Sequence, residues 1–381
     1  MELTTKPKLI DVTLREGNQA ADVYFTARQR RGILKGLGAI GVDEIEIGPA
    51  APDSDLPAMI AEARSLAPKA RIAVWCRALA TDVEMAMDLE PDVLSVSIPA
   101  SDLHLGSKLG RSRDWAIRQI GRIARLVRAC GPVYLSLGLE DATRAESDLL
   151  DKLISEAHTA GFDRIRISDT IGVATPVTIF NTVRRILDQH PIPLGIHAHN
   201  DFGMATANTI TALSGGAEWA DVSVTGLGER AGIARTEELV GYLALQQGRQ
   251  EYNLIELAPL AAIVAEAAGD IVSRRQPIIG DALFACESGL HLDGLDKAKA
   301  TYEPFSPEVV GTSWTKRLSM KAGANAVASV LKAHFKDVSK DLVPAVTART
   351  RSVSRSLGRA LTDAEFATIV AEVTSREKGD K

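Results

Sequence analysis

The chain has 381 residues, 45% of them hydrophobic, with 44 basic and 49 acidic side chains for a formal net charge of −5. That length suits one large domain with an appendage, and the mild acidity without a basic block argues against nucleic acid as a partner. No apolar run reaches the length of a membrane span, the start shows no secretory pattern, and Cys76, Cys130 and Cys286 are scattered, so a reduced, cytoplasmic protein with no membrane partner is expected.

Residues 8–14 read as a strand running into Arg15-Glu16-Gly17-Asn18-Gln19. Thr26 reads as the N-cap of a helix to about residue 37. Strand and helix then alternate. Further strands are predicted at 42–48, 71–75, 92–98, 133–137, 164–168, 193–196 and 220–224. Helices are predicted at 56–66, 81–89, 112–130, 145–160, 176–190, 205–213 and 236–247. Strands alternating with helices predict a parallel sheet, and eight such units predict its closure as an α/β fold, the (β/α)8 TIM barrel. The turn after the first strand is not G-x-G-x-x-G, which disfavours an open dinucleotide-binding sheet. The barrel is placed at residues 1–255. Beyond it the alternation stops, and a C-terminal linker and mainly helical extension is placed at 256–381, with helices near 254–268, 326–334, 340–355 and 362–373. Their apolar spacing predicts packing on the barrel or on a second subunit.

In such barrels function collects at the C-terminal ends of the strands. Arg15, Glu16 and Gln19 follow the first strand, Arg77 the third, Ser101 and His104 the fourth, and Glu140 and Asp141 the fifth. Asp169 and Thr170 follow the sixth, His197 and His199 end the seventh, and Gly226 to Gly232 follow the eighth. Residues i and i+2 of a strand share a face, so His197 and His199 project together. That spacing serves a divalent ion, or equally two histidines bonded to their neighbours.

Three stretches carry a resemblance: Asp11-Val12-Thr13-Leu14-Arg15-Glu16-Gly17-Asn18-Gln19, His197-Ala198-His199-Asn200-Asp201 and Gly226-Leu227-Gly228-Glu229-Arg230-Ala231-Gly232. Together they resemble the signatures of the metal-dependent acyl-CoA condensing enzymes. That group comprises the isopropylmalate, citramalate and homocitrate synthases, with HMG-CoA lyase more distant. Trp75-Cys76-Arg77-Ala78, Lys108-Leu109-Gly110-Arg111 and Gly138-Leu139-Glu140-Asp141-Ala142-Thr143-Arg144 are similar to the nitrogen-fixation-type homocitrate synthases.

The resemblance implies an acyltransferase that condenses acetyl-CoA with a 2-oxo acid, 2-oxoglutarate in the first instance, to give homocitrate and CoA. A phosphonate- or phosphinate-bearing 2-oxo acid, oxaloacetate, pyruvate and 2-oxoisovalerate stay open as substrates, and an acyl-CoA lyase is the alternative activity. It implies a divalent metal (Zn, Mn, Mg or Co) held by Glu16, His197 and His199. It implies catalysis by Arg15, Glu140, His291 and Tyr302, and substrate contacts from Gln19, Arg77 and Thr170. A homodimer is expected, in which His291 and Tyr302 reach the neighbouring subunit's site. The chain departs from the pattern at several places. Glu16 and Ile233 stand where most relatives carry Asp and Asn, and Asn18 where Glu is usual. Ser136 stands where the lysine-pathway homocitrate synthases place an arginine for the distal carboxylate. Ser319-Met320-Lys321-Ala322-Gly323-Ala324 lacks the His and Ser of the usual Gly-Lys-His-Ser-Gly run.

Overall fold

The computed structural model describes residues 3, 6–52, 55–287, 294–295, 297–335 and 338–379. The chain divides into two compact units, Met1–Ser273 and Arg274–Lys381. In the first, strands β1 (Lys8–Asp11), β2 (Glu44–Pro49), β3 (Arg71–Arg77), β4 (Val93–Pro99), β5 (Tyr134–Glu140), β6 (Arg164–Asp169), β7 (Leu194–Ala198) and β8 (Trp219–Val222) follow in order. Each pairs in parallel with the next, and β8 pairs with β1 to close the barrel. Helices α1 (Ala27–Ile40), α2 (Leu56–Leu66), α3 (Ala80–Met87), α4 (Arg113–Cys130), α5 (Ser147–Ala160), α6 (Pro176–Gln189), α7 (Ala205–Ser214) and α8 (Thr236–Leu245) alternate with them. The expected (β/α)8 fold is the fold found. Thr26 caps α1 as predicted: its hydroxyl accepts the Gln29 amide while the Gln29 side chain accepts the Thr26 amide.

A ninth helix, α9 (Leu257–Ala268), belongs to the barrel unit. The division therefore falls after Ser273 and not near residue 255. Gly32 and Gly36 lie one turn apart on α1, and a Cβ at Gly36 would come within 2.8 Å of Leu260. The two glycines let α9 seat directly on α1.

The barrel interior is unusual in its chemistry. β2 reads Glu44-Ile45-Glu46-Ile47 and β6 reads Arg164-Ile165-Arg166-Ile167. Alternate residues of a barrel strand face inward, so both carboxylates and both guanidinium groups enter the interior, where branched apolar residues are the norm. They pair in two layers. In the deeper one Arg164 bonds Glu44 at 2.8 and 3.2 Å and gives its Nε–H to Ser136 Oγ at 3.1 Å. In the layer nearer the strand C-termini, Arg166 Nη1 bonds Glu46 Oε2 at 3.1 Å and Asp221 Oδ2 at 2.9 Å. Buried ion pairs of this kind add little net stability, because desolvation offsets the attraction, but losing one partner is strongly destabilising. Their value is positional: they fix the groups on which the site above them rests.

The second unit holds a short parallel pair, β9 (Ala285–Cys286) with β10 (Thr315–Lys316), and helices α10 (Ala324–His334), α11 (Val343–Leu357) and α12 (Asp363–Gly379). Leu318, Val327, Leu331, Val346, Phe366 and Ile369 form a core of its own. The apolar spacing of these helices is thus met at least in part by their packing on one another. Among the described residues, no helix is long and apolar enough to cross a membrane.

Candidate active site

Buried Leu194 and Ile196 make β7 a core strand, and its end delivers His197 and, two residues on, His199 to the same face. Both are 5% exposed. Their Nε2 atoms face each other at 3.3 Å. Two nitrogens bound to one tetrahedral ion at roughly 2.0–2.1 Å each would lie roughly 3.3 Å apart, so the pair already has a chelating spacing. His197 Nδ1 donates to Asp221 Oδ2 at 2.9 Å, which leaves Nε2 as the free lone pair. His199 Nδ1 is buried without a partner among the described residues. Burial first, and His197 second, push the His199 imidazole down to about 3, so it is neutral at physiological pH, as a ligand must be.

The turn after β1 brings a carboxylate to the two histidines. The backbone amides of Arg15 and Glu16 both bond Val12 carbonyl oxygen, at 3.0 and 2.7 Å, and the turn presents Glu16 to the histidines. Glu16 Oε2 stands 3.9 Å from His197 Nε2, and one ligand atom from each of Glu16, His197 and His199 lies within 4.8 Å of the others. Burial raises the Glu16 carboxyl, but Arg15, His197 and His199 outweigh it and hold it at about 2. Arg15 Nη1 bonds Glu16 and its Nε bonds Glu46 at 2.6 Å. Glu16 therefore pairs with Arg15 and faces the histidines at once. A carboxylate and two imidazoles, buried and converging, fit a divalent ion of the Zn, Mn or Co kind.

The loop after β8 locks this arrangement. A Cβ at Gly228 would lie 3.1 Å from Glu16 Cγ, and one at Gly232, whose φ is +79°, would lie 1.8 Å from Gly226 carbonyl oxygen. Only glycine fits the second position, and the close turn it permits puts the Glu229 amide 3.4 Å from Glu16 Oε1. Arg230 holds Asp201 at 2.8 and 2.9 Å and Thr170 carbonyl oxygen at 2.7 Å. Its role here is to tie three loops together. Ile233 is buried and bridges His199 through the backbone, and its side chain offers no ligand atom.

Over this cluster opens a cavity of about 210 Å³, lined by Arg15, Glu16, Gln19, Trp75, Ser97, Lys108, Glu140, Arg166, Ser168, Thr170, His197, His199 and Glu229. Lys108 ends a π-helical turn after β4 (His104–Lys108), the kind of irregularity that marks functional sites. Its Nζ bonds Glu140 Oε2 at 3.0 Å. A second, more apolar pocket of about 250 Å³ adjoins it through Ser97, Lys108 and Glu140.

With this geometry in hand, the HMGL-like family model matches residues 6–264. The chain belongs to the HMGL-like family. A second model, the homocitrate synthase post-HMGL domain-like region, matches residues 278–357. Among relatives, 2-isopropylmalate synthase 2 of Caldanaerobacter subterraneus is 33% identical over 97% of this chain and 96% of that protein. The homocitrate synthase of Frankia alni is 40% identical over 80% and 87%. The 2-phosphonomethylmalate synthase of Streptomyces rubellomurinus is 34% identical over 95% and 97%. Among solved structures, the hydroxymethylglutaryl-CoA lyase of Pseudomonas aeruginosa superposes with a TM-score of 0.62 at 20% identity, over 71% of this chain and 96% of that one. That likeness speaks to the fold.

Of the residues singled out in the sequence, the HMGL-like barrel gathers Arg15, Glu16, Gln19, Glu140, Thr170, His197 and His199 around one cavity. Thr170 Oγ1 accepts the Asp141 amide at 2.8 Å. Arg77 lines the adjoining pocket instead, and Asp82 holds it at 2.6 and 3.1 Å. Tyr302 is exposed in the second unit, and His291 lies outside the described residues. Sequence reasoning missed Glu46, Ser97, Arg166 and Asp221. The signal was present: Glu-Ile-Glu-Ile and Arg-Ile-Arg-Ile are complementary charges at period two in strands that ought to be buried on both faces.

Proposed function

We propose that this chain is an acetyl-CoA:2-oxo acid acyltransferase that forms homocitrate from 2-oxoglutarate. The observation that carries the reading is the convergence of Glu16, His197 and His199 with Arg15 and Glu140 on a single cavity. The relatives named as synthases over nearly their whole length support it, as does the homocitrate synthase at 40% identity. Glu16, His197 and His199 would hold a divalent ion, which would supply Lewis-acid polarisation of a ketone. Arg15, already oriented by Glu46, stabilises negative charge as it develops on the ketone oxygen. Thr170 and Gln19 bind the 2-oxo acid from the rim.

Glu140, steadied by Lys108, takes a proton from the acetyl methyl. The resulting carbanion forms a carbon–carbon bond to C2 of the 2-oxo acid, and the former ketone oxygen gains a proton to become a hydroxyl. Water then cleaves the thioester, releasing CoA as the thiol and leaving a carboxylate. His291 and Tyr302 serve the proton transfers. We assign them to the partner subunit of a homodimer, and a fully active monomer measured by light scattering at low micromolar concentration would remove that assignment. The protein works in the cytoplasm. Incubation of isotopically labelled acetyl-CoA with 2-oxoglutarate and, in parallel, with other 2-oxo acids, followed by mass spectrometry, tests the reading: labelled homocitrate is expected, and a labelled product from another 2-oxo acid alone would overturn the choice of substrate.

A further inference from the structure

Arg166 leaves β6 toward the barrel axis and is 2% exposed. Only its Nη1 is engaged, with Glu46 and Asp221. Among the described residues, nothing accepts the hydrogens of Nε or Nη2. A guanidinium has five N–H donors in a rigid fork, and leaving most of them unpaired in a buried setting is costly. Neither nitrogen is among the enclosed, unpaired atoms, and Arg166 lines the cavity over Glu16, His197 and His199. Arg164 is committed to Glu44 and Ser136, and Arg15, held by Glu16 and Glu46, is assigned above to the ketone oxygen.

The space beside Arg166 is kept open by an absent side chain. A Cβ at Gly138 on β5 would lie 2.6 Å from Ser97 Oγ and 3.7 Å from Arg166 Nε. Ser97 Oγ accepts the Trp75 indole N–H at 2.8 Å and keeps its own proton to donate. Arg166 and His197 bond the same Asp221 oxygen at 2.9 Å each, so one small molecule facing His197 is within reach of Arg166.

We propose that Arg166, with Ser97, receives the second acidic group of a 2-oxo diacid, and that this site selects 2-oxo acids with a distal carboxylate or phosphonate over those with an apolar side chain. The guanidinium would do from β6 what Ser136 on β5 cannot. This inference rests on the reading that a 2-oxo acid is the substrate, and it concerns binding alone.

Calorimetric titration of the manganese-loaded protein, without acetyl-CoA, tests it with 2-oxoglutarate, a phosphonate-bearing 2-oxo acid and 2-oxoisovalerate. The unmodified protein is expected to bind one or both diacids at least roughly 10-fold more tightly than 2-oxoisovalerate. Arg166→Gln should lower that ratio roughly 10- to 100-fold, the loss of charge-assisted hydrogen bonds, and Arg166→Lys should restore part of it. A wild-type protein without preference for the acidic compounds overturns the proposal, as does an Arg166→Gln protein that keeps the preference. Arg166→Gln strips a partner from Glu46 and Asp221, so circular dichroism first establishes that it is folded, and Arg166→Lys, which keeps the charge, is the second variant. If the binding ratio holds while acetyl-CoA yields no thiol with any 2-oxo acid, the condensation reading falls and the role of Arg166 stands.

Discussion

Asp221 does not line the cavity, yet it should govern metal affinity. It is fully buried on β8, and its Oδ2 takes the His197 Nδ1 proton at 2.9 Å and an Arg166 proton at 2.9 Å. A carboxylate behind a metal-binding histidine fixes the ring's tautomer and raises its basicity, and losing it costs about 10- to 100-fold in affinity. The two natural substitutions divide that range. Asp221→Asn keeps an oxygen where Oδ2 stands, and puts its amide nitrogen where Oδ1 has no partner among the described residues. It removes charge but preserves orientation, so about 10-fold is expected, or about 1.4 kcal/mol. Asp221→Ala removes both, and about 100-fold is expected, or about 2.7 kcal/mol. Competition with a chromogenic chelator for zinc or manganese measures the change, after circular dichroism has shown each variant folded. Glu16→Ala and His199→Ala, which remove ligands, should lose more than either. If both Asp221 variants bind metal within about three-fold of the unmodified protein, the positioning argument is refuted. If Glu16→Ala retains metal as tightly while His199→Ala loses it, Glu16 is not a ligand.

Glu140→Gln should lower turnover roughly 10²–10⁴-fold, as for a lost general base, while metal content measured by mass spectrometry stays the same. Unchanged turnover would remove Glu140 from the mechanism. Stability should depend on Glu237, buried on α8, where its Oε2 accepts the Thr225 amide at 3.0 Å. Burial lifts its carboxyl from 4.5 to about 7. The folded chain therefore binds this proton more tightly than the unfolded one. The contribution is full below the unfolded value of 4.5 and is lost as pH rises through about 7. Glu237→Gln mimics the protonated form, so its melting temperature should exceed that of the unmodified protein by a few degrees at about pH 8, a gain on the order of 1–3 kcal/mol that vanishes near pH 4. A variant that melts lower at both pH values would contradict the reading.

The barrel was legible because its strands and helices alternate with their own periods and the first helix carries its own cap. The rim was legible because strand ends are where a parallel barrel exposes polar side chains. The charged interior was legible only in part. The period-two charges of β2 and β6 point to Glu46 and Arg166, but a single sequence does not say which carboxylate meets which guanidinium across the axis, and Asp221 carries no such signal. Only closure of the barrel brings them together. The seating of α9 was hidden for a similar reason: α9 is an ordinary apolar helix in the sequence, and its attachment to α1 depends on Gly32 and Gly36, more than two hundred residues upstream. Asp221 and Ile233 belong to one lesson. The first, an apparent strand filler, holds His197 in place, and the second, at a position where the resemblance calls for an asparagine, is a buried isoleucine that only packs.

The proposed reaction joins acetyl-CoA to a 2-oxo acid at this site. Thiol release from acetyl-CoA, followed continuously with a disulfide reagent in the presence of manganese across a panel of 2-oxo acids, tests it most directly. Release is expected to require the 2-oxo acid, to be fastest with 2-oxoglutarate, and to be abolished by His199→Ala. Release that is absent with every 2-oxo acid, or that proceeds equally without one, would contradict it.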